Sequence, residues 1–191
     1  MEIIGVEKLT DQKWINLFAS TYRHNGKTGR WVYASRKPQP QPGQTTIDAV
    51  VIVPILKAPP EEPRLVLLRE FRIPVGTYMY AFPAGLLEPD ETIEEVAQRE
   101  LREETGLEVT AVKLISPPLY ASAGLTDESA VLVFVDARPI PGAKPKLDAS
   151  EEIEPVLLTW KQVDELCRRK ERFDVRAWMA IYHYSQLGRL E

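Results

Sequence analysis

The chain has 191 residues and a formal net charge of −4, and 44% of its residues are hydrophobic and 27% charged. These values are typical of a globular domain and exclude disordered, collagen-like and coiled-coil chains. The acidic balance disfavours a nucleic-acid-binding protein. The longest apolar run, residues 49–56, is too short to span a bilayer. Because Cys167 is the single cysteine and no secretory leader is visible, we expect a cytoplasmic protein without nucleic-acid or membrane partners.

The first forty residues are predicted to form a small antiparallel β-unit. Residues 14–22 and 30–35 are rich in aromatic and β-branched side chains, and Asn25-Gly26 between them is a hairpin turn signal. The alternating prolines of residues 37–43 predict a stiff spacer, because proline fixes φ and lacks a backbone donor. The predicted domains are therefore residues 1–42 and residues 43–191.

The second domain mixes strands and helices along the chain. Residues 46–56 are almost continuously apolar, which is typical of a strand buried on both faces. A helix is predicted between Thr92, which forms a capping box with Glu95, and Gly106, which ends it. The other predicted elements are strands at residues 65–71, 78–82, 109–115, 130–137 and 156–159, and amphipathic helices at 160–170 and 175–187.

The predicted helix carries an acidic stripe. Ile93, Ala97, Glu100 and Glu104 fall at i, i+4, i+7 and i+11 on one face, and Glu103 lies beside them. Carboxylates on an inward face are costly without compensation, and like charges one turn apart repel each other. A bound divalent cation would remove both problems. A solvated acidic face on a Glu-rich helix fits the same stripe, so the stripe alone leaves both interpretations open.

A longer spacing pattern surrounds this stripe. It is formed by Gly85, Glu91, Arg99, Glu100, Leu101, Glu103, Glu104, Gly106 and Leu107. This pattern resembles the Nudix signature, and chance would fill its seven specified identities on the order of once in 10⁸ windows. The resemblance implies an α+β fold: a Nudix α/β/α sandwich, with a mixed sheet between helices, joined to the small N-terminal antiparallel β-unit.

The resemblance also implies roles for the matching residues. Glu100, Glu103 and Glu104 would hold Mg²⁺ or Mn²⁺, hard cations that prefer oxygen ligands, and the backbone carbonyl of Ala84 would add a ligand. Gly85 is expected to supply a backbone conformation that a β-carbon disfavours. Glu91 and Arg99 are expected to form an ion pair that orients the carboxylates. Arg99 and Glu103 are also candidate catalytic residues, and Gly106 is expected to end the helix.

Nearly the whole chain resembles the ADP-ribose pyrophosphatase branch of this superfamily. That resemblance implies hydrolysis of a nucleoside diphosphate sugar, with ADP-ribose favoured, to AMP and ribose 5-phosphate. It also implies a homodimer across which the N-terminal β-unit is exchanged. Trp14 and Trp31 match rings that enclose the base, although either could instead anchor the β-unit. Arg36 and Arg72 match basic positions used on the phosphates, or are ordinary surface charges.

One loop bears on substrate choice. Residues 121–128 correspond to a substrate loop, in which Glu128 is a further candidate for substrate binding. ADP-ribose enzymes usually have Ser-Pro-Gly there, whereas this chain has alanine at Ala123. The missing proline leaves other substrates open, such as GDP-mannose. A nucleotide-sugar sensor with little turnover is a further alternative, although a pure binder has no need to keep all three glutamates.

A second loop bears on catalysis. Residues 139–150 form a long Pro/Gly/Lys segment that leads to Glu151 and Glu152. Long loops in compact domains often have a function. In the resembled branch a glutamate at this place is a catalytic base or an extra metal ligand, and we favour Glu152 over Glu151. A plain acidic loop is the alternative.

Overall fold

The structure, a computed structural model, describes residues 1–147 and 152–190. These residues fall into two compact units: the first unit is Met1–Asp48 with Pro118–Ala130, and the second unit is Ala49–Pro117 with the described part of Val131–Glu191. Among the described helices, none is long and apolar enough to cross a membrane. The elements are β1 (Glu2–Lys8), β2 (Asn16–His24), β3 (Lys27–Ser35), β4 (Ala49–Leu56), β5 (Arg64–Arg72), β6 (Thr77–Ala81), β7 (Ala84–Leu86), α1 (Ile93–Thr105), β8 (Leu107–Ile115), β9 (Ala130–Pro139), β10 (Ile153–Leu158), α2 (Trp160–Cys167) and α3 (Val175–Leu187).

The first unit contains an antiparallel sheet in the order β1-β2-β3. The hairpin between β2 and β3 turns at Asn25 and Gly26, whose φ angles of 48° and 73° are both positive, as a two-residue type I′ turn requires. The predicted hairpin is therefore confirmed. Sequence analysis missed β1, because this strand is exposed along its whole length and so shows no alternation between buried and exposed positions.

The second unit contains a seven-stranded sheet in the order β10-β5-β4-β9-β8, with β6 paired to β5 and β7 paired to β4. Strand β4 is buried along its whole length, as its continuous apolar sequence predicts, although it begins at Ala49 and not at Thr46. The sheet is mixed and is flanked by helices, so the predicted α+β architecture is confirmed. Fully buried Ile52, Leu65 and Leu67 form part of its core.

Helix α1 has the ends that its sequence predicts. The backbone N–H of Glu95 donates to Thr92 Oγ1 at 3.2 Å, and the backbone N–H of Thr92 donates to Glu95 Oε2 at 2.8 Å. Gly106 ends the helix in the left-handed region with a φ of 73°. The buried face of the helix consists of Val96, Ala97, Leu101 and Glu104. A carboxylate therefore lies on the face that α1 turns toward the sheet.

Helices α2 and α3 close the chain. Helix α3 has the predicted bounds, whereas α2 ends at Cys167, three residues earlier than predicted. The backbone N–H groups of Arg168 and Arg169 bond to carbonyls three residues back, which tightens the last turn and ends the regular α-helix.

Candidate active site

The buried end of the acidic stripe is anchored to strand β7. Glu104 is 6% exposed, and its Oε2 accepts a hydrogen bond from the backbone N–H of Ala84 at 3.1 Å. Ala84 is itself fixed because β7 pairs antiparallel with the central strand β4, where Val51 is its partner. A buried carboxylate is stabilised by such a donor. The sheet therefore determines where this carboxylate lies.

Gly85 differs from its prediction in its backbone conformation and in what surrounds it. Its φ is not among the positive values, so the expected backbone conformation is a wrong prediction. A β-carbon built on Gly85 would lie 1.8 Å from Glu100 Oε1 and 2.2 Å from Glu100 Cδ. The absent β-carbon leaves room for the Glu100 side chain to pack directly against the backbone of β7.

Arg99 is the centre of the charged network on α1. Its Nε and Nη2 donate to the two oxygens of Glu91 at 2.8 and 3.0 Å, which is a bidentate pair. Its Nη1 donates to Glu100 Oε1 at 2.5 Å and lies 3.6 Å from Glu103 Oε2. Hydrogen bonding to Arg99 lowers the pKa of Glu91, and the same bonds raise the pKa of Arg99 despite its partial burial. Arg99 thus contacts the carboxylates of Glu91, Glu100 and Glu103, and its guanidinium group stays protonated.

The donor atoms of this site fit a hard divalent cation. A cavity of about 430 Å³ opens beside the site, and its lining includes Ala84, Gly85, Glu91, Arg99 and Glu100. Carboxylate and carbonyl oxygens are the ligands that Mg²⁺ and Mn²⁺ prefer. Within residues 1–147 and 152–190, no three acidic, histidine or cysteine side chains converge closely enough to hold an ion as they stand. Glu100 Oε1 is instead hydrogen-bonded to Arg99.

The structure also locates the two other residues predicted for the second unit. Arg72, at the end of β5, pairs with Glu70 at 2.9 Å and is half exposed. Glu152 lies directly before β10, and Oε1 of its carboxylate accepts a hydrogen bond from the hydroxyl of Tyr78. Glu151, the alternative base, lies outside the described residues. Sequence analysis did not identify Tyr78 as a functional residue.

The substrate loop of the first unit is attached to strand β3. Trp31 Nε1 donates to the carbonyl of Gly124 at 3.1 Å, and the backbone N–H of Ala34 donates to the carbonyl of Leu125 at 2.8 Å. Arg36 Nε donates to Glu128 Oε2 at 3.3 Å. Residues about ninety positions apart in the chain are thereby brought together. Trp31, Arg36 and Glu128, all predicted substrate-binding residues, are among them.

A cluster that sequence analysis missed fixes the same loop. Lys37 Nζ donates to Asp48 Oδ2 at 3.0 Å, to the carbonyl of Asp127 at 3.2 Å and to Asp127 Oδ2 at 3.3 Å. Burial alone would lower the pKa of Lys37, but the two aspartates outweigh this effect and raise it. Because Lys37 lies in the proline-rich spacer, its sequence context suggests only a solvated charge.

A cavity of about 770 Å³ lies within the first unit. Trp31 and Ala123 line this cavity, whereas Trp14 does not. Trp14 is 70% exposed, and the Nζ of Lys13 lies 4.3 Å from its ring centroid. Lys37 and Asp127 of the loop-fixing cluster also line this cavity. The two predicted aromatic rings therefore occupy different surroundings.

These geometries agree with the comparisons between this chain and known proteins. The family model described as NUDIX domain matches residues 45–180. The chain therefore belongs to the Nudix family and is a Nudix hydrolase.

Individual relatives are similar over most of the chain. An ADP-ribose pyrophosphatase of Bacillus subtilis is 30% identical over 186 residues, which is 96% of this chain and 91% of that protein. An ADP-ribose pyrophosphatase of Saccharomyces cerevisiae is 35% identical over 138 residues, 71% of this chain but only 58% of that protein. A crystal structure of an ADP compounds hydrolase superposes with a TM-score of 0.71 at 21% identity, covering 97% of this chain and 91% of that one.

Proposed function

We propose that this protein hydrolyses the diphosphate bond of nucleoside diphosphate sugars in a Mg²⁺-dependent reaction, with ADP-ribose favoured. The products would then be AMP and ribose 5-phosphate. The observation that carries the proposal is the arrangement around β7, where Glu104 is buried against the backbone of Ala84 and Glu100 packs on Gly85. The names of the Bacillus and yeast relatives support ADP-ribose as the substrate.

Glu100, Glu103 and Glu104, with the carbonyl of Ala84, would hold the ion. When bound, Mg²⁺ or Mn²⁺ neutralises the diphosphate, polarises its phosphoryl oxygens and lowers the pKa of a bound water. Arg99, fixed by its bidentate pair with Glu91, would hold Glu100 and Glu103 in position, and the backbone N–H of Ala84 would hold Glu104. Without a cation, the acidic face of α1 would repel the negatively charged substrate.

The proposed reaction is a displacement at phosphorus. A water oxygen forms the new P–O bond while the bond to the bridging oxygen breaks, and Glu152 accepts the proton of the water. Arg36 and Arg72 bind phosphate oxygens, since the planar guanidinium group suits bidentate contacts. Glu152 is exposed and lies directly before a strand, which is compatible with contact to a bound water.

We assign the base of the substrate to the first unit. Trp31 is held by its hydrogen bond to Gly124 and lines the 770 Å³ cavity, so its ring has a fixed orientation in a concave surface. Trp14 lacks that support, so we favour Trp31 as the stacking ring. We further propose that the protein is a homodimer in which the two chains exchange their N-terminal β-units. We also propose that it is cytoplasmic.

Preference for another nucleotide sugar is the second candidate. Ala123, which lines the cavity beside Trp31, replaces the proline that ADP-ribose enzymes usually have. Alanine lacks the ring that fixes φ, so the loop has more conformational freedom at this position. GDP-mannose is the test case for this alternative.

A substrate panel tests the proposal directly. The purified protein is incubated with ADP-ribose, GDP-mannose or UDP-glucose and Mg²⁺, and phosphate released by an added phosphatase is measured with and without EDTA. We expect EDTA-sensitive release, with the highest kcat/KM for ADP-ribose. Higher kcat/KM for GDP-mannose favours the second candidate. Calorimetric binding without release from any substrate would indicate a sensor and contradict the proposal.

A further inference from the structure

Three strands of the second unit bring one tyrosine to the proposed base. Ile153 of β10 is paired with Glu70 of β5, and the next contact in the ladder is the hydrogen bond from the backbone N–H of Phe71 to the carbonyl of Glu152 at 3.1 Å. On the other edge of β5, Phe71 is paired with Tyr78 of β6. Glu152, Phe71 and Tyr78 therefore form one row across three strands.

Side chains in such a row lie on the same face of the sheet, because directly opposite residues of antiparallel strands point the same way. The hydroxyl of Tyr78 donates to Oε1 of Glu152. The contact follows from the strand register and is not a chance meeting of two surface side chains. The register also fixes it independently of residues 148–151, which precede Glu152.

The ring of Tyr78 is held from two sides. The guanidinium carbon of Arg69 lies 4.1 Å from the ring centroid, and the Phe71 ring meets it edge-on at 5.3 Å and 79°. Arg69 is also 3.8 Å from Glu154, its cross-strand partner on β10. Cation–π and edge-to-face contacts restrict the rotation of the ring. The hydroxyl therefore has a defined position before any substrate binds.

We infer that Tyr78 is a positioning residue for Glu152. By donating to Oε1, its hydroxyl fixes the plane of the carboxylate, so that the other oxygen, Oε2, takes the proton from the attacking water. An exposed carboxylate directly before a strand would otherwise rotate freely and lose the orientation on which proton transfer depends. This inference rests on the proposed function, in which Glu152 is the base.

The test compares Tyr78→Phe with Tyr80→Phe. Tyr80 lies two residues along the same strand and stacks on Phe173 at 5.5 Å, so it is a matched control for the loss of a hydroxyl. We expect Tyr78→Phe to lower kcat about tenfold and to leave KM within about twofold, as loss of an orienting partner does. Tyr80→Phe should match the wild type. Both variants should melt like the wild type.

The variant Glu152→Gln distinguishes a positioning role of Tyr78 from a purely structural role, because the effect of Tyr78→Phe on kcat can be measured with and without the carboxylate. In the Glu152→Gln background, Tyr78→Phe should cause no further loss of kcat, because the group that it orients is gone. Wild-type kcat in Tyr78→Phe would overturn the inference, as would an equal loss in both backgrounds. Wild-type kcat in Glu152→Gln would remove the base and this inference with it. If the wild type shows no EDTA-sensitive hydrolysis, the proposed function itself fails.

Discussion

The carboxylates of helix α1 and the substrate loop at residues 121–128 are held in position by different means. Arg99 of α1 pairs with Glu91, which precedes the helix, and with Glu100 and Glu103 of the helix itself, so its three partners lie within eight residues of it in sequence. In the loop, contacts come from β3 and from Lys37, about ninety residues earlier in the chain. The contacts around Arg99 are local in sequence, whereas those of the loop are long-range and combine hydrogen bonds with ion pairs.

This difference has a functional consequence for the proposed enzyme. Chemistry on a diphosphate needs fixed charges, which a helix with a central arginine supplies at low conformational cost. Choice among nucleotide sugars needs a surface that can vary while the chemistry is kept, and loops attached to a rigid sheet serve that purpose. Substitutions in the α1 network should therefore change kcat, whereas those around the loop should change KM.

The largest expected effect is that of Glu104→Gln. Glutamine keeps the volume and an oxygen for the Ala84 N–H but removes the charge of the proposed metal ligand. We expect kcat to fall about 10³-fold, because charge stabilisation at the reacting phosphate is lost. The measurement is steady-state hydrolysis of ADP-ribose together with a thermal melt.

The matched control is Glu94→Gln, which changes an exposed carboxylate in the first turn of the same helix. Its kcat should equal that of the wild type. If Glu104→Gln also retains full kcat while remaining folded, Glu104 does not bind the metal. The proposal that the carboxylates of α1 determine kcat would then be wrong.

Helix α1 could be predicted from the sequence to a greater extent than the contacts of the loop at residues 121–128. The capping box, the helix end at Gly106 and the acidic stripe could be predicted because each depends on residues within a few turns of one another. The attachment of the loop to β3 could not, since no local pattern relates Trp31 to Gly124 or Lys37 to Asp127. Tyr78 was missed for the same reason: its partner, Glu152, lies directly before β10, which is two strands away from β6 across the sheet.

Gly85 shows a second limit of sequence analysis. Its position in the Nudix signature could be predicted, but the physical reason could not, because a close approach between a side chain and the backbone appears only in three dimensions. A glycine suggests a positive φ by default. Here the absent β-carbon leaves room for Glu100.

Gly85→Ala should give the next largest effect. The atoms that a β-carbon would meet are those of the Glu100 side chain, which can rotate away, so the fold should be retained. The displaced carboxylate would no longer bind the metal correctly, and we expect kcat to fall about 10- to 100-fold. The control is Gly5→Ala, since a β-carbon there meets nothing within 4 Å.

Hydrolysis rates and melting temperatures of the two glycine variants decide the question. A large loss of melting temperature in Gly85→Ala with an unchanged rate per folded molecule would mean that the glycine serves the backbone and not Glu100. Unchanged rate and stability together would show that Glu100 tolerates displacement, and so would weaken its assignment as a ligand.

Lys37→Met should give the smallest effect. It tests whether contacts of the loop at residues 121–128 determine KM. Without the ammonium group, Asp48 and Asp127 lose their shared partner, and the loop that presents Gly124 to Trp31 loosens. We expect KM for ADP-ribose to rise about fivefold and kcat to stay within about twofold, as expected for lost uniform binding. Lys27→Met, at the exposed start of β3, is the control.

The pH dependence of this effect follows from the pKa of Lys37. Because the two aspartates raise that pKa above the ordinary value of 10.5, the lysine is charged below it, and its contribution is lost only as pH rises through the raised value. The ratio of the two KM values should therefore be constant between about pH 6 and pH 9. A ratio that declines toward one within this range would show that Lys37 loses its proton there. Ion pairing with the two aspartates would then not be what holds the loop.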